Sequence, residues 1–150
     1  MVKVALTGHR NDRLHGKNKE ILKWIQNTLL DIHLQDSKIQ CLCGGAEGAD
    51  ELFAEIAAFG TCPADLIFYL PCEGYRFFAL EKYISKAKQV IPIFKNWIPG
   101  GDEIRDRRMV EDCDILLAVW DGIRIGGTWE TIKHAQDLNK KIICLNVKEL

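Results

Sequence analysis

The residues best placed for chemistry gather where apolar runs break at glycines. The clearest break follows residues 115–120, where Asp121-Gly122 and then Gly126-Gly127-Thr128 interrupt the run before helical spacing resumes. A continuous apolar run of this length predicts a strand buried on both faces. A strand that enters a helix through glycines can hold an anion: the backbone comes close, the first N–H groups of the helix point outward, and the macrodipole adds about half a positive charge. Two earlier breaks have the same form. Thr7-Gly8-His9-Arg10 follows an apolar run over 2–6, and Gly44-Gly45-Ala46-Glu47-Gly48-Ala49-Asp50 follows one over 39–43.

Side chains near these breaks suit a sugar-phosphate ligand. Arg105 offers a planar fork of donors for bidentate phosphate contact, although a solvated helix arginine would look the same in sequence. Were it at a crevice edge, Arg105→Ala would weaken ligand binding and change stability by less than about 1 kcal/mol. His9 can donate to an anion or cover a base or sugar. Asp121 can hold a ribose, or can simply make an Asp-Gly turn. Asp50 lies at a helix start, where a carboxylate is stabilised whatever the function. Trp97 and Trp129 flank the expected crevice and can stack on a base, while core packing is the commoner fate of tryptophan.

Six strands must position these residues: 2–6, 39–43, 66–70 stopped by Pro71, 90–94, 115–120 and 142–145. Between them lie helices striped by Ile21, Trp24, Ile25, Thr28, Leu29 and Ile32; by Leu52, Phe53, Ile56, Ala57 and Phe59; by Phe77, Phe78, Leu80, Tyr83 and Ile84; and by Ile104, Met109, Val110 and Cys113 behind an Asp102 N-cap. A last helix starts at Thr128. Alternation of this kind predicts a single Rossmann-like α/β domain over 1–150, with a mainly parallel sheet of about six strands and helices on both faces. Ligands bind such sheets beyond the carboxyl ends of the strands, so the three glycine breaks are expected to converge on one crevice. Neither the dinucleotide fingerprint nor the lysine-bearing phosphate loop is present, which disfavours a redox dehydrogenase or an ATPase and implies no cofactor.

Composition narrows the class. With 20 basic and 21 acidic residues the net charge is −1, which lacks the footprint of a nucleic-acid binder, so no nucleic acid is expected as a partner. No apolar run reaches the roughly 18 residues of a membrane span, and the amino terminus enters a strand pattern without a leader, so a cytoplasmic protein with no membrane association is expected. The six cysteines fall mostly in or beside strand-like runs and are expected to be buried and reduced, with no metal site.

Thr7-Gly8-His9-Arg10, the Gly44-Gly45-Ala46-x-Gly48-Ala49-Asp50 segment, Arg105-x-x-x-Met109-Val110, Asp114, the run ending in Trp120-Asp121, and Gly126-Gly127-Thr128-x-x-Thr131-Ile132 together resemble the SLOG superfamily, in particular its YpsA-like members. The resemblance spans nearly the whole chain. It implies a Rossmann-like fold and binding of a nucleotide or nucleotide-derived molecule, with superfamily analogy suggesting a homodimer. A more distant resemblance is to the cytokinin-activating phosphoribohydrolases, whose signature ends Gly-Gly-x-Gly-Thr-x-x-Glu after an arginine four residues before a methionine. Arg105, Gly127 and Thr128 match it. Thr131 stands where the glutamate belongs, and Glu130 lies one residue early, about a 100° rotation away on a helix. Phosphate binding is therefore expected to persist better than catalysis. The leading expectation is a binding domain that senses or sequesters a phosphorylated nucleotide derivative, of the ADP-ribose or nucleoside-phosphate kind. An N-glycosidic-bond-cleaving enzyme using Arg105 and Glu130 is the alternative, and a protein-interaction domain with a vestigial crevice is a third.

Overall fold

The computed structural model describes residues 1–36, 38–76 and 78–150. Its elements follow in the order β1 (Val2–Gly8), α1 (Asn18–Gln35), β2 (Ile39–Cys43), α2 (Ala49–Phe59), β3 (Ala64–Cys72), α3 (Phe78–Tyr83), β4 (Ala87–Phe94), α4 (Gly101–Asp112), β5 (Ile115–Trp120), α5 (Gly127–Asp137) and β6 (Lys141–Asn146). All strand pairs are parallel, in the order β4-β3-β2-β1-β5-β6. The chain therefore winds outward from β1 through β4, then returns to the other side of β1 for β5. That reversal opens a cleft between the carboxyl ends of β1 and β5.

Strand periodicity divides the core in two. Val4, Leu6, Cys41, Cys43, Phe68, Leu117 and Val119 face α1 and α2, meeting Ile21, Ile25, Leu29 and Phe53. Their neighbours Ala5, Leu42, Ile67, Tyr69 and Leu116 face the other way, towards Met109 and Val110 of α4 and Ala135 of α5. Because both faces are covered, the central strands are apolar through their middles, as at Val4-Ala5-Leu6, Cys41-Leu42-Cys43 and residues 115–119. On α1, Ile21, Ile25, Leu29 and Ile32 form one buried stripe.

Several local expectations are corrected. Pro71 does not stop β3, which runs to Cys72. β2 pairs with β3 only as far as Phe68, so Pro71 lies where one side of β3 has no partner strand and its missing N–H removes no bond there. The N-cap of α4 is Gly100 with φ +76°, and no side chain caps the helix; Asp102 sits inside the first turn instead. Phe59 falls off the buried face of α2 and is 61% exposed. Cys41, Cys43, Cys62, Cys72 and Cys113 are buried free thiols, whereas Cys144 on the edge strand β6 is exposed. Phe77 lies outside the described residues. Among the described residues no helix is long and apolar enough to cross a membrane.

Candidate functional site

The carboxyl ends of β1, β2 and β5 surround a crevice of about 330 Å³, within the size range of small-molecule sites. Of the residues singled out in the sequence, Thr7, Gly8, His9, Arg10, Ala46, Asp50, Arg105, Gly127 and Thr128 line it. Gly44, Gly45, Gly48, Asp121, Gly122 and Gly126 do not; they shape the turns behind it. The walls also include Asp12, Arg13, Asp102, Asp106 and Met109, which the sequence patterns had not marked as site residues.

The three helix starts are not equivalent. At α2, the Ala49 N–H donates to His9 O (3.1 Å), the Gly48 N–H to Glu51 Oε1 (3.2 Å) and the Ala46 N–H to Asp50 Oδ2 (3.1 Å). A side chain on Gly8 would collide with Ala49 Cβ, and one on Gly48 would come within 2.6 Å of His9 O. These two glycines therefore let α2 dock directly on the end of β1, and the N–H of its first residue, Ala49, is used within the fold. The first turn of α4 carries Asp102 and Glu103, whose charges already meet its dipole. α5 is different. No described residue accepts from the first N–H groups of α5, the Thr128 hydroxyl has no described partner, and a Cβ on Gly127 would meet nothing within 4 Å. Its free donors open onto the crevice.

Asp121 is a structural hub. Its carboxylate accepts from Arg13 Nε (2.9 Å) and Nη2 (2.8 Å), from the Ile123 N–H (3.0 Å) and from His9 Nε2 (3.0 Å). Arg13 also donates to Ile125 O (2.9 Å), tying down the 121–126 turn. Burial acts to raise the Asp121 pKa, but the bonds from Arg13, Ile123 and His9 outweigh it and hold the carboxyl well below the usual range. The expected ribose contact at Asp121 is thus replaced by an internal role, since its acceptor positions are occupied. Burial lowers the His9 pKa, against the opposing bond to Asp121, so the imidazole is neutral at neutral pH. An ionised Asp121 can only accept, which places the hydrogen on Nε2 and leaves Nδ1 with its lone pair.

Arg105 lines the crevice from within the protein, at 4% exposure. Its Nη1 donates to Gly44 O (2.7 Å) and Tyr69 O (3.2 Å), and its Nε pairs with Asp106 Oδ1 (2.7 Å). The guanidinium ties the end of β2 to β3 and α4, so the expectation of a dispensable arginine at the crevice edge is corrected. Burial pushes the Asp50 carboxyl up to about 7 even though Arg105 and the Ala46 N–H pull it down. Near neutrality the crevice therefore contains a carboxyl that holds a proton part of the time.

Glu130 points away from the crevice chemistry: its side chain is 62% exposed and pairs with Lys133 at 3.0 Å. Thr131 turns its hydroxyl back onto Gly127 O (2.8 Å). Neither supplies an acid to the crevice. Trp129 stacks on Trp120, with ring centroids 5.6 Å apart, and Arg124 and Lys133 lie over its ring. No cluster of three or more metal-ligating side chains occurs among the described residues.

Solved structures with this arrangement include TM1055, a structural-genomics target, at 17% identity and TM-score 0.64, covering 95% of this chain and 72% of that one. DNA processing protein A (DprA) from Streptococcus pneumoniae matches at 16% identity and TM-score 0.73, over 96% of this chain and 50% of that one. DprA from Helicobacter pylori, described for its unique single-stranded DNA binding mode, matches at 18% identity and TM-score 0.71, over 95% and 64%. The fold is Rossmann-like. This chain spans only half to two thirds of the length of the two DprA chains. The likeness shows the fold and not the YpsA-like branch. No protein-family model and no curated protein matches the chain.

The exclusion of nucleic acid is withdrawn. It rested on a net charge of −1, yet a domain of this fold occurs in a protein described for binding single-stranded DNA. Whole-chain charge is a poor guide here, because a local cleft with helix starts can attract phosphate while distant carboxylates cancel the total.

Proposed function

We propose that the crevice binds a phosphorylated, nucleotide-derived small molecule, with its phosphate at the start of α5. The open donors of Gly127 and Thr128 carry this reading: among the described residues nothing accepts from the first N–H groups of α5, and the carboxylate of its first turn, Glu130, turns to Lys133 instead. The neutral His9, presenting Nδ1 as an acceptor, suits a sugar hydroxyl better than a second phosphate. The matching turns and their order further support placement in the YpsA-like branch, with sensing or sequestration of an ADP-ribose or nucleoside-phosphate ligand as the role. Calorimetric titration of the protein with ribose 5-phosphate, AMP and ADP-ribose tests the proposal. At least one is expected to bind with a dissociation constant below about 1 mM, equivalent to roughly 4 kcal/mol; absence of binding by all three at millimolar concentration contradicts it.

A second reading, cleavage of an N-glycosidic bond, is favoured by the Asp50 carboxyl near 7 in the same crevice as a neutral, Asp121-oriented His9. Water would form a bond to the anomeric carbon as the carbon–nitrogen bond breaks, with His9 Nδ1 taking the water proton and Asp50 giving its proton to the departing base. Released adenine from AMP, measured by chromatography and abolished in Asp50→Asn, supports it. Turnover unaffected by that substitution removes Asp50 from the chemistry.

A further inference from the structure

Two threonine hydroxyls at the crevice have no described partner within the chain. Thr7 and Thr128 are 8% and 6% exposed and both line the crevice, and no described residue bonds to either hydroxyl. Among the described residues the sealed side-chain atoms without partners are His33 Nδ1 and His134 Nε2, so the threonine oxygens are not sealed and open onto the cavity their residues line. Alternation along β1 sets Thr7 on the same face as Ala5, the face that meets α4 and α5. The Thr7 hydroxyl therefore lies on the side of the sheet where α5 begins. Together with the Thr128 hydroxyl and the first N–H groups of α5, it supplies donors that carry no charge.

The charged donors nearby are engaged. Arg13 gives Nε, Nη1 and Nη2 to Asp121 and Ile125 O, and Arg105 gives Nε and Nη1 to Asp106, Gly44 O and Tyr69 O. Among the described residues no lysine lines the crevice, and the carboxyl groups of Asp12, Asp50, Asp102 and Asp106 outnumber the guanidiniums of Arg10, Arg13 and Arg105. A proton on Asp50 would bring this lining only to balance. Such a seat discriminates by charge. A phosphomonoester carries nearly two negative charges at neutral pH and a diester carries one, so each carboxylate repels the monoester about twice as strongly. The uncharged donors can bond to the unbridged oxygens of either.

Space favours the same ligand. A second cavity of about 270 Å³, walled by Glu103, Arg107, Glu130 and Thr131, shares Gly127 and Asp106 with the crevice. A Cβ on Gly127 would meet nothing within 4 Å, so a phosphate at the start of α5 has room on both sides. A terminal phosphate uses one side. We propose that the crevice selects an internal phosphate, bridged on both sides and singly charged, seated on the α5 N–H groups and the Thr7 and Thr128 hydroxyls. The inference rests on the phosphate reading above and names the class of phosphate that site takes. Neither Trp97 nor Trp129 lines the crevice, so the seat and not base stacking carries the discrimination. The same internal phosphate can belong to a diphosphate-linked nucleotide or to a nucleic-acid strand.

The test is calorimetric titration at about pH 7.5, above the second phosphate pKa of about 6. The ligands are AMP, its phosphate methyl ester, ADP-ribose and a single-stranded hexadeoxynucleotide without a terminal phosphate. The methyl ester keeps the base and sugar of AMP with one charge fewer, and is expected to bind wild type at least about threefold more tightly. Asp102→Asn is expected to narrow that ratio by strengthening AMP more. Thr7→Val and Thr128→Val keep the branched shape and remove the hydroxyl, and each is expected to weaken the methyl ester at least about fivefold. ADP-ribose binding more tightly than the hexanucleotide assigns the phosphate to a small diphosphate, and the reverse order assigns it to a strand; either supports the inference. It is overturned, with the phosphate reading intact, if AMP binds as tightly as its methyl ester, if Asp102→Asn leaves the ratio unchanged, or if both valine variants keep full affinity. Failure of wild type to bind any of these ligands or ribose 5-phosphate overturns both.

Discussion

At the scale of single residues, two carboxyls in one cleft are driven in opposite directions by their surroundings. Asp121, met by four donors, stays ionised and fixes His9 and Arg13. Asp50 has one recorded donor, Ala46 N–H, and burial raises its pKa to about 7. The sign of the pH effect follows. Between about pH 4 and pH 7 folded Asp50 keeps a proton that the unfolded chain releases, so its contribution to stability is present at low pH and is lost as pH rises through 7. His9 acts in the other direction: its folded pKa is lowered, so stability falls as pH drops below about 6.5, where the unfolded imidazole takes up a proton. Asp50→Asn keeps an oxygen for the Ala46 N–H but cannot ionise. Urea unfolding from pH 5 to 8 is expected to show wild type losing stability relative to the variant between pH 5 and about 7, with the difference levelling off above 7, because His9 acts alike in both. Identical slopes would place the Asp50 pKa elsewhere.

At the scale of elements, Arg105 shows why a site residue can also be structural. Removing it leaves buried Gly44 O without its donor and withdraws the counter-charge from Asp106 and Asp50. Arg105→Ala is therefore expected to destabilise the fold by about 3 kcal/mol or more, measured by urea unfolding; a loss below about 1 kcal/mol would show that the guanidinium is not needed to join β2, β3 and α4. This bond set joins residues 44, 69 and 105, and no local sequence pattern reveals it. The same applies to Arg13, which lies in an aperiodic polar stretch and finds Asp121 across 108 positions of sequence. Strands and helices were legible because burial on two faces imposes apolar runs, and burial on one imposes a stripe such as Ile21, Ile25 and Leu29. β3 was legible only in part, because the permission for Pro71 comes from the early end of a neighbouring strand. The three glycine turns were visible in sequence, but which helix start remains open depends on what Glu51, Asp50 and His9 O have already satisfied around α2.

At the scale of the molecule, the reversal of strand order between β1 and β5 creates the cleft, and the start of α5 is left with N–H groups that no described residue accepts from. Net charge has no part in this local arrangement. Gly127 isolates the central claim, because it lines the crevice, has space for a side chain, and does not have the positive φ that would strain one. A valine there should leave the fold unharmed, since any branched residue is at least as favourable as glycine in a helix, while filling the space over the free N–H groups. The decisive measurement is ribose 5-phosphate affinity of wild type and Gly127→Val by calorimetry, paired with thermal unfolding of the same samples. The account predicts at least about tenfold weaker binding, equivalent to 1.4 kcal/mol, with no loss of thermal stability. Unchanged affinity in a fully folded Gly127→Val protein would contradict it.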